Sequence, residues 1–600
     1  MKKILKNILK VGLLSICLIV LYGCSANIPE SKQGQLNLVW NRKSNYKIII
    51  GSNASESEKT AAKELQKYIK QMSKCKLPIK VDAKTKISEY EIIIGKTNRE
   101  DSETYTIERE ALGDEGFRIL TFNNKIIIAG GEKRGTLYGV YTFLEQLGCR
   151  FFTPRIEKVP TYKSIVLETE QLETLQIPAF EYRDAYWYLG FDSNWSAKVK
   201  INSGVDREYK KSLGGNISYE GFVHTFNLFV PPATYLAEHP EYYSHDESGK
   251  TIYYDGAPAQ LCLSNANVLS IMIEKVKESL KNNPNAQIIS VSQNDNPLYC
   301  KCAECTRIDT EEGSHSGTLI RFVNAVADAI KEEYPDVAID TLAYYHTLTP
   351  PSITKPRENV IIRVCSIGCC FSHPLSTCVN NSSFRNALAN WAKIHDRIYV
   401  WDYTTNFLNY IGTYPNLGVL QDNMKLFLEN NVKGVFEQGV YQRGESGEFA
   451  ELRTYLLAKL LWDPNTDVEY HMNDFLETYY GEGAEYIKQY ITSINESITK
   501  KTHTEPEITA MFKHIPEEEW VKFDELWDNA EKAVKDKDTL LRVKRSRLQL
   551  RCYNMQKRRG EFADLSHEEY VKKCNEFFQD CLDMGLVLFN EGSRIEQHFQ

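Results

Sequence analysis

The stretch Ile288-Ile289-Ser290-Val291-Ser292-Gln293-Asn294-Asp295-Asn296-Pro297-Leu298-Tyr299-Cys300-Lys301-Cys302-Ala303-Glu304-Cys305 decides how this chain is read. Its first part is an apolar strand and its second a polar, proline-broken loop, so the strand stops abruptly on Asn294 and Asp295. A second strand, Val432-Lys433-Gly434-Val435-Phe436-Glu437-Gln438-Gly439, ends in the same manner on Glu437. Strands that end on carboxylates and alternate with helices describe an α/β fold of the (β/α)8 TIM-like barrel type, whose C-terminal strand ends aim polar side chains into ligand-binding loops. Each carboxylate could also simply cap the loop or helix that follows it.

Further strand ends fall at Tyr182-Arg183-Asp184, Phe222-Val223-His224, Ala338 to Tyr345, Val360 to Cys365 and Ile398-Tyr399-Val400-Trp401-Asp402. Helical stretches from Thr318 to Glu333 and from Leu420 to Asn430 separate several of them, and seven strands can be placed more firmly than an eighth. Upstream, the strands Tyr46–Ile50 and Glu91–Gly95, a hairpin split at Phe122-Asn123-Asn124-Lys125, and a helix from Arg134 to Leu147 make a smaller α/β domain. Beyond Asp463-Pro464 the pattern is almost wholly helical, with charge runs that suit solvated faces. The expected division is a leader at 1–24, an α/β accessory domain at 25–165, the barrel at 175–462 and a helical C-terminal domain at 463–600.

The chain has 600 residues, 42% of them hydrophobic and 25% charged, with a formal net charge of -8. Nothing in that balance recruits a polyanion, so nucleic acid is excluded as an expected partner. Aromatics reach 11%, with 35 Tyr and 8 Trp, which suits platforms for sugar rings and equally suits ordinary packing. There is no HExxH, no Walker loop and no GxGxxG after a strand, so protease and nucleotide-dependent readings lack support.

Lys2, Lys3 and Lys6 precede the apolar run Val11–Leu21, and Leu21-Tyr22-Gly23-Cys24 follows. This is a signal-peptide pattern whose end looks like a bacterial lipobox, implying cleavage before Cys24 and lipidation of its thiol. The expectation is an exported bacterial lipoprotein at the outer membrane, cell surface or periplasm, tethered by lipid, and monomeric. No later apolar run approaches the ~20 residues needed to span a bilayer. Of 15 cysteines, those at 17 and 24 lie in this leader. Cys300, Cys302 and Cys305 stand apart from the rest as a cluster that could hold a structural zinc or form a disulfide with Cys365, Cys369, Cys370 or Cys378. No catalytic metal or other cofactor is expected.

Two carboxylates at two strand ends are the minimum for cleaving a glycosidic bond, one to protonate the departing oxygen and one to stabilise or attack the anomeric centre. Two resemblances sharpen this. The segment Arg134-Gly135-Thr136-Leu137-Tyr138-Gly139 through Leu147-Gly148 to Pro154 resembles the end of the accessory domain that precedes the barrel in α-glucuronidases and β-hexosaminidases. Most of 120–480 resembles glycoside hydrolase family 163, endo-β-N-acetylglucosaminidases acting on N-glycans. The residues that carry this are Phe229-Val230-Pro231-Pro232, His239-Pro240-Glu241-Tyr242-Tyr243, Ser292 to Asp295, the cysteine cluster and Phe436-Glu437-Gln438-Gly439.

The resemblance implies retaining hydrolysis of the GlcNAc-β-1,4-GlcNAc core bond, with the sugar's own acetamido group as nucleophile. N-glycans of glycoproteins are the implied partners. Related hexosaminidases use adjacent Asp and Glu, whereas this chain has Asn294-Asp295, and neighbours on an extended strand point to opposite sides. Asp295 and Glu437 are therefore assigned as the catalytic pair, with Asn294 as a partner of the sugar. Trp401, Asp402, Tyr403, Tyr345, His346, His224 and Arg183 are the candidate substrate contacts, each with a structural alternative. Two other readings stay open: an exo-acting hydrolase of the α-glucuronidase or β-hexosaminidase kind, and a surface glycan-binding lipoprotein without catalysis.

Overall fold

A computed structural model describes residues 28–100, 105–444, 447–498, 503 and 515–599; the leader and Cys24 lie outside the described residues. The chain forms two compact units, one running to Cys149 and taking in Val159–Gln176, the other comprising Arg150–Lys158 and everything from Ile177 onward. Among the described residues no helix is long and apolar enough to cross a membrane.

The first unit is a six-stranded mixed sheet. Lys47–Ile50, Ile79–Val81, Glu91–Ile94 and Lys125–Gly130 run parallel, and Phe117–Phe122 pairs antiparallel with Lys125–Gly130 across the Asn123-Asn124 turn. Asn123 takes the positive φ that such a turn requires. The helix Gly135–Gln146 lies on this sheet, and a Cβ at Gly139 would come within 2.9 Å of Ile128 Cγ2, so glycine there permits close helix-sheet packing.

The second unit is built on seven parallel strands: β1 Tyr182–Tyr186, β2 Tyr219–Glu220, β3 Ile288–Ser290, β4 Ala338–Ala343, β5 Val360–Cys365, β6 Ile398–Tyr403 and β7 Val432–Gln438. Their order in the sheet is β1-β7-β6-β5-β4-β3-β2, so the strands from β2 to β7 follow one another in sequence order, and β1 pairs with β7 at the other edge. β4 and β5 are buried along their whole lengths, as parallel strands covered on both faces must be.

The expected eight-stranded closure is met only in part. Between the edges β1 and β2 lies the segment 202–204, which makes single bonds in place of a ladder. Asn202 N donates to Arg183 O at 3.3 Å, while Ile217 N donates to Asn202 O and Gly204 N to Ile217 O, each at 2.8 Å. The Asn202 side chain replaces a missing backbone partner by accepting from Arg183 N at 2.9 Å. The short polar run Asn202-Ser203-Gly204 offers no apolar alternation, which explains why the sequence pattern did not announce a strand there.

The helices Ala303–Glu312, Ser316–Ile330, Ser382–Ile394, Leu420–Glu429 and Ala450–Trp462 flank the sheet. The later helices, from Val468–Tyr480 to His567–Asp583, belong to the same compact unit as the sheet. Cys552, Cys574 and Cys581 pack there with Leu548, Phe562 and Phe577 as small apolar side chains.

Inside the curl, Tyr182, Ile288, Ala338, Ile361, Tyr399 and Phe436 form a packed core. Above them Arg363 Nε donates to Asp340 Oδ2 at 2.9 Å and Nη2 to Oδ1 at 2.5 Å, and the guanidinium lies 4.3 Å from the Phe222 ring centre. Both partners are fully buried, so removing one leaves the other as an uncompensated charge. Arg363→Met is expected to cost ~3–5 kcal/mol in urea unfolding followed by tryptophan fluorescence, with Asp340→Leu in the same chain recovering most of the loss. Equal losses in the single and double variants would contradict this.

Candidate functional site

At the C-terminal ends of these strands lies a cavity of about 430 Å³, in the range of small-molecule sites. Its walls are aromatic, with Tyr186, Phe222, Trp401, Tyr403 and Phe436 among them, and its polar lining includes Asp295, His224, Tyr344, Gln438 and Glu591.

Asp295 follows β3 and keeps 62% of its side chain exposed to this cavity. The Tyr344 hydroxyl donates to Asp295 Oδ1 at 3.0 Å. Burial raises the Tyr344 phenol well above its ordinary range, so it stays protonated and remains a donor. His224 Nε2 stands 4.0 Å from the same oxygen, and His224 Nδ1 lies 2.7 Å from the backbone carbonyl of Gln293. That carbonyl can only accept, so Nδ1 carries a proton and Nε2 is left to face Asp295. Both His224 and Tyr345 take positive φ, a conformation that costs non-glycine residues energy and that concentrates where structure is held for function.

Strand alternation sorts the rest. Trp401 and Tyr403 on β6 line the cavity, and Trp401 Nε1 donates to Gln438 Oε1 at 2.8 Å. Their neighbour Asp402 therefore points to the opposite face of the sheet, as does Glu437, its partner in the β6–β7 register. Glu437 is 1% exposed, and its carboxyl oxygens are buried without a hydrogen-bond partner among the described residues. Burial first, and then the adjacent Asp402 carboxylate, raise Glu437 well above the usual carboxylate range. Asp402 accepts from Ser366 Oγ at 2.5 Å and is itself pushed up to about 6 by burial.

The structure thus brings Asp295, His224, Tyr345, Trp401 and Tyr403 together and leaves the other candidates outside. Glu437 does not face Asp295: the wall position belongs to Gln438, one residue on. Asn294 is committed to the scaffold, its Nδ2 donating to Ala259 O at 3.0 Å and its Oδ1 accepting from Asn227 N at 3.3 Å. His346 turns toward Tyr299 and His315, and burial lowers it to about 4. Arg183 is fully buried beneath Trp462, donating to the carbonyls of Lys200 and Phe180, and Asp184 pairs instead with Arg207 at 2.8 Å.

Tyr344, Gln438 and Glu591 also line the cavity and were not among the candidates. Counting by two along each strand finds the first two, Tyr344 from Asp340 and Leu342, and Gln438 from Phe436. Glu591 arrives from the turn between Leu588–Asn590 and Ser593–Arg594, accepting from Tyr441 OH at 3.1 Å, and no local signal marks it. The cysteine cluster gains a fourth member, Cys262, whose Sγ lies 3.7 Å from that of Cys302. Every cysteine among the described residues is free, so the disulfide alternative for the cluster is not met there.

The family model described as "Glycosyl hydrolase family 67 N-terminus" matches residues 36–143. No curated protein matches the chain. Among solved structures, it is similar to a family GH115 4-O-methyl-α-glucuronidase with specificity for decorated arabinogalactans. That match has 13% identity and a TM-score of 0.54, over 92% of this chain and 78% of the other. A family 89 glycoside hydrolase from Clostridium perfringens matches at 12% identity and a TM-score of 0.49, over 88% of this chain and 66% of the other. The N-acetyl-β-hexosaminidase of Streptomyces plicatus matches at 12% identity and a TM-score of 0.41, over 78% and 93%. The first of these likenesses shows a shared fold. The family model described as "Domain of unknown function (DUF4838)" matches residues 151–492, more than half of the chain, and the chain belongs to that family.

Proposed function

We propose that the protein is a glycoside hydrolase whose catalytic centre is the cavity around Asp295. The observation that carries this reading is a solvent-facing carboxylate at a strand's C-terminal end, held by a phenol, faced by an imidazole and enclosed by rings on which a sugar can stack. The match to a glycosyl hydrolase N-terminus and the fold shared with a glucuronidase support the class.

Within that class, a retaining endo-β-N-acetylglucosaminidase of the glycoside hydrolase family 163 kind, acting on the N-glycan core, is the reading we favour. Its nucleophile is the substrate's own acetamido oxygen, so the protein supplies a group that orients the amide and an acid that protonates the leaving oxygen. Asp295 and Glu591 are the carboxylates among the described lining residues, and they divide these roles. Tyr403 and Gln438 supply hydrogen bonds to the acetamido group. The aromatic walls also suit an exo-acting hexosaminidase. A uronic acid fits less well, because no Lys or Arg occurs among the described lining residues and Arg363 beneath them is spent on Asp340. Export and tethering through Cys24 belong to the same proposal and rest on the leader sequence.

Incubation with an N-glycosylated protein is expected to release glycans that keep one N-acetylglucosamine on the protein, with the new reducing end first formed in the β configuration. Asp295→Asn and Glu591→Gln are each expected to lower kcat by ~10²–10⁴-fold, the usual contribution of a positioned acid or base. Full activity in Asp295→Asn would overturn the assignment, and release of free uronic acid would overturn the substrate class.

Glu437→Gln is expected to leave kcat within about tenfold, a change no larger than ~1.4 kcal/mol in the barrier. Its signature is in stability. An unfolded Glu ionises near ~4.3, while folded Glu437 stays protonated to higher pH, so the parent loses stability as pH rises above that value. Relative to the parent, the variant should gain up to ~1.4 kcal/mol per pH unit from about pH 4.5 toward neutrality and show no pH-dependent difference below about pH 4. A difference that stays flat from pH 4 to 7 would contradict the buried, protonated assignment.

A further inference from the structure

Two groups of side chains outside the cavity converge in a way that neither packing nor disulfide pairing requires. In the first, the thiols of Cys262, Cys300, Cys302 and Cys305 lie within 4.8 Å of one another. In the second, Cys370, His373, Cys378 and His503 bring two thiols and two imidazoles together within the same limit. We propose that each quartet holds a structural zinc ion.

The spacings suit this. A tetrahedral zinc with Zn–S bonds of ~2.3 Å sets its sulfurs about 3.8 Å apart, and Cys262 Sγ to Cys302 Sγ is 3.7 Å. With one Zn–N bond of ~2.0–2.1 Å the sulfur-to-nitrogen edge is about 3.6 Å. Cys370 Sγ lies 3.3 Å from both His373 Nδ1 and His503 Nδ1, and Cys378 Sγ lies 3.7 Å from His503 Nδ1. Backbone N–H groups already point at the sulfurs of the first quartet, from His245 to Cys300 at 3.4 Å and from Cys305 to Cys302 at 3.5 Å. Such bonds favour thiolates and orient metal ligands. A disulfide would use two thiols and leave the imidazoles of the second quartet without a reason to converge.

With four protein ligands each site is closed, so its role is structural. The first ion would tie the segment containing Cys262 to the loop that begins five residues after Asp295. Asn294 and Asn296, on either side of Asp295, already tie the start of this stretch to the carbonyl of Ala259. The second would tie the loop after β5, whose Ile367 lines the cavity, to residue 503. Zinc thereby fixes two walls of the cavity from outside it.

The test is the metal content of the full chain, purified without chelator or added metal, measured by inductively coupled plasma mass spectrometry. Two zinc ions per chain are expected. Cys302→Ser and His503→Ala should each lower the count to one, and His503→Ala serves as the independent arm should the thiol variant fail to fold. A single zinc lost with only one substitution would overturn the other site. A zinc-free or iron-loaded chain, a count that neither substitution changes, or non-reducing peptide maps showing disulfides within the quartets would overturn both.

Discussion

The buried ion pair between Arg363 and Asp340 sets the floor on which the rest of the second unit depends. It fills the curled sheet at mid-height with two charges that satisfy each other, and the aromatic rings of Phe222 and Trp401 lie against its guanidinium. Below the pair the lumen is apolar core; above it, the same alternating positions emerge as the walls of a cavity. Because side chains change face at every residue along a strand, this floor also fixes which residues of each strand end can meet a ligand.

That alternation explains what was legible in the sequence and what was not. The strands are visible as apolar runs, and Asp295, Trp401, Tyr403, His224 and Tyr345, which the sequence puts at or just past strand ends, line one cavity. Glu437 was misread by one residue. Its strand ends on Phe436-Glu437-Gln438, and the register with Trp401 puts Phe436 and Gln438 inside and the carboxylate out. Asn294 and His346 lie beyond the strands, where alternation no longer applies: Asn294 is held by the Ala259 and Asn227 backbones, and His346 turns toward Tyr299 and His315.

The remaining misses come from distance along the chain. Glu591 and Cys262 reach their places only through the tertiary fold, and His503 joins two cysteines from more than a hundred residues earlier in the sequence. A period of two or of 3.6 carries no information about such meetings. The eighth stave was invisible for a different reason, since the segment 202–204 substitutes a side-chain amide and a few single hydrogen bonds for an apolar strand.

In the proposed reaction a neutral amino sugar is processed in the cavity around Asp295, with Glu437 taking no part. The decisive measurement is a crystal structure of the protein with an N-acetylglucosamine-derived thiazoline, which mimics the cyclised intermediate. The sugar ring is expected against the aromatic wall near Trp401, with Asp295 or Glu591 within hydrogen-bond reach of the thiazoline nitrogen and Glu437 still buried on the far face of its strand. A thiazoline bound elsewhere, or one touching the Glu437 carboxyl, would contradict it.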